Sequence, residues 1–352
     1  MKPSAIRKIK KLGFPWVTQD PFLFCVHHLD FYPKGNDKLG PDASLAGRNM
    51  GNDFVIKDGW RMYHGNTVPG FPAHPHRGFE TVTFVLQGLV DHSDSNGAAG
   101  RYGNGDIQWM TAGSGLQHSE MFPLLKKDES NTFELFQIWL NLPAASKFVT
   151  PTYKMLWSES IPKITLKDIN QKKIEIDLAA GKYQNYMAPE PAPDSWAANP
   201  ENEVNIWQIK LEENAVWDIP AALGKVTRSL YFMEGETINV ESNDIQLNHV
   251  LELDAGRELT VKNGNKPSRL LLLQGKPIEE PIQQYGPFVM NNMAEIEQAF
   301  ADYRKTQFGG WPWPIRGCMR RAVRCCGLNR SRRCMSRVRC IMWAASRSWK
   351  RR

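Results

Sequence analysis

Nowhere in the 352 residues does an apolar run approach the ~18 or more consecutive residues that a membrane-spanning helix requires. No signal-type apolar segment occurs before Pro21 either, so a cytoplasmic protein is expected. Cysteine is nearly missing from most of the chain: Cys25 stands alone before five more at positions 318, 325, 326, 334 and 340. A disulfide framework is therefore excluded for the body. P-loop, dinucleotide-fold and Ser/His/Asp signatures are absent too, which removes the commonest phosphate, nicotinamide and acyl-transfer chemistries.

Acidic residues are wholly missing from the last 38 positions, where 12 Arg and one Lys accumulate. This leaves 31 basic against 37 acidic residues in 1–314, so the formal charge of +7 belongs to the end of the chain alone. Residues 1–314 are not expected to bind nucleic acid or membrane. Residues 315–352 show no hydrophobic period and no C-x-x-C pair, against a zinc knuckle. They read as disordered, out-of-frame text rather than as a basic arm for phosphates.

Short Val-, Ile-, Phe-, Thr- and Trp-rich segments punctuated by Gly, Asn, Asp and Pro dominate the rest, as in 79–90, 133–140, 206–211, 229–240 and 269–273. This is a mostly β pattern. The proline-rich stretch 188–203 predicts an extended linker between a domain at 1–187 and another at 204–292. Near the end, Met293, Ile296, Phe300 and Tyr303 share a helical face, and Asn292 with Glu295 forms a capping pair. A closing helix with its tail is expected over 293–314. A weak internal repeat aligns Thr83–Gly88 with Leu230–Gly235. On that register His74, His76 and Glu80 fall opposite Ala221, Leu223 and Thr227, so only the first half carries possible ligands.

The chemistry concentrates in two segments. In FPAHPHRGFETVTFVLQG, His74 and His76 are two residues apart, so an extended backbone projects both imidazoles to one side. In GDIQWMTAGSGLQHSEM, His118 and Glu120 repeat that spacing behind turns at Gly105, Gly113 and Gly115. Three neutral imidazoles and a carboxylate suit one divalent metal, Fe(II) first and Mn, Ni, Cu or Zn as alternatives, with coordination positions left open. Glu80 is a rival ligand, or else a hydrogen-bond acceptor that orients an imidazole or an arginine, Arg77 being the nearest. His27, His28, His64, His92 and His249 are read as structural. Tyr63, Phe71, Trp109, Met110 and Met121 are mostly barrel core, some of them suited to lining a pocket for a flat aromatic.

HPHRGFETV followed by GDIQWMTAGSGLQHSEM resembles the signature of the pirin family within the cupin superfamily. The likeness extends to PFLFCVHHLDFYP, to QYGPFVMNN and to EIEQAFADYRKTQFGGWPWP, and so spans nearly all of 1–314. It implies an all-β chain of two cupin jelly-roll barrels packed face to face, closed by a short C-terminal helix. One iron-type metal would lie in the N-terminal barrel on His74, His76, His118 and Glu120. It further implies either a quercetin 2,3-dioxygenase-type reaction on a flavonol with O₂, Glu120 accepting the hydroxyl proton, or a metal-responsive regulatory protein with a protein partner and no turnover.

Overall fold

The computed structural model describes residues 4–313; the predicted disordered tail at 315–352 lies outside the described residues. Strand β1 (Ile6–Lys11) precedes eight strands: β2 (Phe22–Tyr32), β3 (Gly70–His76), β4 (Phe79–Gln87), β5 (Leu89–Asp94), β6 (Ala99–Gly103), β7 (Ile107–Thr111), β8 (Leu116–Met121) and β9 (Asn131–Asn141). Then come β10 (Thr152–Leu156), β11 (Lys163–Lys167), β12 (Lys173–Ala180) and the short hairpin β13 (Lys182–Tyr183) and β14 (Tyr186–Met187). A second set of eight follows: β15 (Asn205–Leu211), β16 (Val216–Ile219), β17 (Thr227–Glu234), β18 (Thr237–Val240), β19 (Asn243–Gln246), β20 (His249–Asp254), β21 (Leu259–Asn263) and β22 (Ser268–Gly275). The hairpin β23 (Gln283–Tyr285) and β24 (Phe288–Met290) leads into α1 (Met293–Thr306).

The two sets of eight repeat one topology. Sheet order β10-β7-β4-β9-β2 in the first half corresponds to β1-β20-β17-β22-β15 in the second, and β3-β8-β5-β6 corresponds to β16-β21-β18-β19. Each half is thus a two-sheet jelly roll of cupin type. The repeat read from the sequence is real, and β4 and β17 both end at a positive-φ glycine, Gly88 and Gly235. That register holds along β4 and β17, which carry the same bulge against β9 and β22, but it does not extend back to the histidines. The counterpart of β3 is β16, so Ala221 and Leu223 lie in the connection after that strand. The interior positions of β16 and β21 hold Trp217, Ile219, Leu259 and Val261, all buried in the second barrel's core.

The expected split at 188–203 separates the chain but not the sheets. β1 on one edge, and β12 then β11 on the other, hydrogen-bond into the second barrel's large sheet. Unpaired strand edges are satisfied by whichever strand reaches them, and composition does not mark that choice. The stretch 188–203 is also not simply extended. It holds 3-10 turns at Trp196–Ala198 and Pro200–Asn202, the first capped by buried Ser195.

Strand alternation explains the layers. In β4, Val82 and Phe84 face the layer between the barrels, where they meet Ile107, Trp109, Phe136, Tyr231 and Leu271; Val85 faces the first barrel's interior. Trp16 stacks on Tyr231 across that layer, ring centroids 5.1 Å apart. At α1, Asn292 accepts a hydrogen bond from the Glu295 amide at 3.0 Å, as expected for the capping pair. Ile296 is buried and Phe300 and Tyr303 pack on Phe288, but Met293 is turned to solvent.

Candidate metal centre

His74 and His76 come from β3, His118 and Glu120 from its antiparallel neighbour β8, with His74 opposite His118 and Phe71 opposite Glu120. A bulge at Pro72-Ala73 shifts the register between these two pairs, so Phe71 and His74, three apart in sequence, both face the cavity. Gly113, with φ +47°, makes the turn into β8; a Cβ there would lie 2.1 Å from the Val149 carbonyl oxygen.

The ring nitrogens of His74, His76 and His118 lie within 4.8 Å of one another, the one such cluster of three among the described residues. Glu120 stands just outside it, its Oε2 3.9 Å from His118 Nε2. Neighbouring donors bonded to one ion at about 2.1 Å each are about 3.0 Å apart at octahedral and about 3.4 Å at tetrahedral angles, so Glu120 closes on an ion shared with His118 by a small side-chain shift. The triad's outer limit needs only small side-chain rotations.

The surrounding hydrogen bonds favour the same use. His74 Nδ1 donates to the Pro72 carbonyl at 2.8 Å, and His76 Nδ1 points at the Pro287 carbonyl at 3.4 Å, which leaves each Nε2 lone pair free. His118 is fully buried and neither of its nitrogens has a hydrogen-bond partner. An orphaned buried polar atom costs about 1–3 kcal/mol, which a cation at Nε2 would offset in part. Burial pulls His74 down to about 4, against the Pro72 bond, and holds His76 and His118 well below the usual imidazole range. All three are therefore neutral and ligand-competent at pH 7. Burial raises the Glu120 carboxyl, although Thr83 Oγ1 lies 3.0 Å from its Oε1 and Gln137 Nε2 lies 3.4 Å from its Oε2.

Glu80 is placed on the other face. It follows the even positions of β4 with Val82 and Phe84, away from the imidazoles, so it is neither a ligand nor a support for one. Its carboxylate accepts from Trp109 Nε1 at 3.1 Å, Thr111 Oγ1 at 2.7 Å and Ser195 Oγ at 2.6 Å. Arg77, its expected partner, instead pairs with Asp302 at 2.7 Å on α1 and donates to the Ser114 carbonyl.

A cavity of about 390 Å³ opens onto His74 and His76, walled by Phe24, Phe54, Phe71, Phe122 and Trp139, with Glu120 and Gln137 among its polar groups. Of the pocket-lining candidates read from the sequence only Phe71 reaches it; Tyr63, Trp109 and Met110 are buried in the core and Met121 lies on the opposite face of β8. His28 and His64, read as structural, also line the cavity. For His28 the signal was present: Val26, His28 and Asp30 alternate along β2 on its interior face, so two polar side chains lie where a core strand offers apolar ones. His27 on the opposite face pairs with Glu134, His92 lies beside Asp94, and His249 caps a local turn.

The Pirin family model matches residues 37–140, and that of the Pirin C-terminal cupin domain matches 206–309. The chain belongs to the pirin family. Among pirins, the Pirin-like protein of Solanum lycopersicum is 37% identical over 273 residues, covering 75% of this chain and 86% of that protein. Pirin of Mus musculus is 34% identical over 253 residues, covering 70% and 80%. The crystal structure of quercetin 2,3-dioxygenase from Acinetobacter baumannii superposes with a TM-score of 0.64 at 30% identity, covering 83% of this chain and 87% of that one. Two cupin-type barrels with a short closing helix are thus both the architecture observed here and the pirin arrangement. Among the described residues no helix is long and apolar enough to cross a membrane.

Proposed function

We propose that this pirin is a metal-dependent dioxygenase of quercetin 2,3-dioxygenase type, taking a flavonol or similar small flat aromatic together with O₂. The observation that carries the reading is the placement of three neutral imidazoles and a buried carboxylate at the base of an aromatic-walled cavity large enough for a fused-ring ligand. His74, His76, His118 and Glu120 would hold the ion, with Fe(II) the metal of choice. A bound metal would supply Lewis acidity towards the substrate and O₂.

The chain's own residues do the rest. The Pro72 and Pro287 carbonyls orient His74 and His76 through their Nδ1 atoms. Phe71 and Trp139 offer ring faces and edges that orient a flat ligand and exclude water. A Glu120 carboxylate oxygen not committed to the ion would receive the substrate hydroxyl proton.

The test is O₂ consumption with quercetin by the metal-loaded full chain, alongside metal content, for wild type, His118→Ala and Glu120→Gln. Wild type should bind one metal and consume oxygen. His118→Ala should lose both, and Glu120→Gln should lose turnover by at least ~100-fold, the scale of general acid–base catalysis. Stoichiometric metal without oxygen consumption would refute the dioxygenase and favour a regulatory binding role.

A further inference from the structure

We propose that His28 offers a fixed Nε2 lone pair to the cavity, accepting a hydrogen bond from a phenolic hydroxyl of the ligand, and that Tyr63, Asp30 and Arg61 lock it in that tautomer. The inference rests on the aromatic-ligand reading above and adds a specificity-determining group on the chain itself.

The tautomer follows from counting hydrogens along a buried chain of four side chains. Arg61 donates from Nε to Asp30 Oδ1 at 2.9 Å and from Nη2 to Asp30 Oδ2 at 3.0 Å, a two-pronged pairing of guanidinium with carboxylate. Asp30 is fully buried and Arg61 nearly so. A neutral Asp30 would leave that guanidinium uncompensated, so the carboxyl is ionised and can only accept. Tyr63 has one hydroxyl hydrogen, and Asp30 Oδ2, 2.6 Å away, takes it. The same hydroxyl lies 2.8 Å from His28 Nδ1, and with its hydrogen spent it can only accept there. The proton of a neutral His28 is therefore on Nδ1, and Nε2 is a bare acceptor.

That acceptor has no hydrogen-bond partner among the described residues, and its ring lines the cavity beside Phe71, centroids 6.0 Å apart. Tyr63 is held for this purpose at some cost. Its φ is +57°, a region that bulky side chains rarely occupy, and reciprocal backbone hydrogen bonds with Asp53 keep it there. Burial first, and then the Arg61 charge, pull His28 down to about 3. It stays neutral and accepts a hydrogen bond without taking the proton, which leaves proton transfer to Glu120. Asp30, Tyr63 and Arg61 do not touch the cavity ligand and act as positioning residues.

The full chain under argon, where no turnover occurs, is titrated calorimetrically with quercetin and with flavone, which lacks hydroxyls. Wild type should prefer quercetin, and His28→Phe and Tyr63→Phe should each reduce that preference by about 5- to 20-fold while flavone affinity holds. Nitrogen NMR of histidine-labelled protein gives a second readout independent of binding, and its wild-type result does not depend on how the variants fold. His28 should show a protonated Nδ1 and a bare Nε2 in wild type, and lose that pattern in Tyr63→Phe. An unchanged preference in both variants, or a bare Nδ1 in wild type, overturns the assignment of His28 while the aromatic-ligand reading stands. Failure of wild type to bind either compound overturns that reading and the role of His28 with it.

Discussion

Replacing Glu80 by glutamine should stabilise the protein above neutral pH and leave its metal content unchanged. The side chain is fully buried and accepts hydrogen bonds from three side chains and from the Trp196 backbone, yet burial outweighs them and pushes its carboxyl up to about 7. Because the folded-state value lies above the unfolded value near 4.5, the folded chain holds the extra proton between those pH values. Ionisation of Glu80 therefore costs stability progressively as pH rises through that window. The gap corresponds to about 3 kcal/mol at pH 8 and less than about 1 kcal/mol at pH 5. Glutamine keeps an oxygen for Trp109 and Thr111 and turns its amide towards Ser195, whose hydroxyl rotates to accept. Urea midpoints at pH 8 and pH 5 measure the difference, with metal analysis alongside. The gain should be large at pH 8 and small at pH 5. An equal loss of stability at both pH values would refute the account of Glu80 as a destabilised buried anion, and a loss of metal would return it to the ligand set.

Two further substitutions probe how the barrels are joined and how the site is braced. Burial raises the Glu134 carboxyl, but hydrogen bonds from His27 and from Arg269 of the second barrel outweigh it and carry it down to about 2. Its stabilisation is present above about 4.5 and lost as pH falls towards 2, so Glu134→Gln should cost up to about 3 kcal/mol at pH 7 in a denaturant titration and progressively less below pH 4.5. Gly78 has φ +83°, and an added Cβ would sit 2.1 Å from the Val289 carbonyl oxygen. Gly78→Ala should therefore cost about 3 kcal/mol or more by displacing the 288–290 strand. It should also weaken metal retention, measured by competition with a chelator, because Pro287 moves off His76.

Much of this was determined by the sequence alone, because it depends on local spacing. The His-x-His and His-x-Glu pairs imply two same-side pairs in any extended strand, whatever the rest of the chain does. The glycine turns, the Asn292 cap and the β pattern are likewise local, and positive φ at Gly105, Gly113 and Gly115 agrees with the turns read there. The direction in which Glu80 points was not legible. It depends on which face of β4 meets the second barrel, a choice made by packing Val82 and Phe84 against Tyr231 and Leu271, more than 140 residues away. The same holds for β1, β11 and β12, whose pairing is decided by open sheet edges rather than by composition. His28 shows the limit most plainly, because Tyr63 and Arg61 reach it and Asp30 from an irregular segment between β2 and β3, and only in the folded chain do the hydroxyl, carboxylate and guanidinium determine which imidazole nitrogen carries the proton.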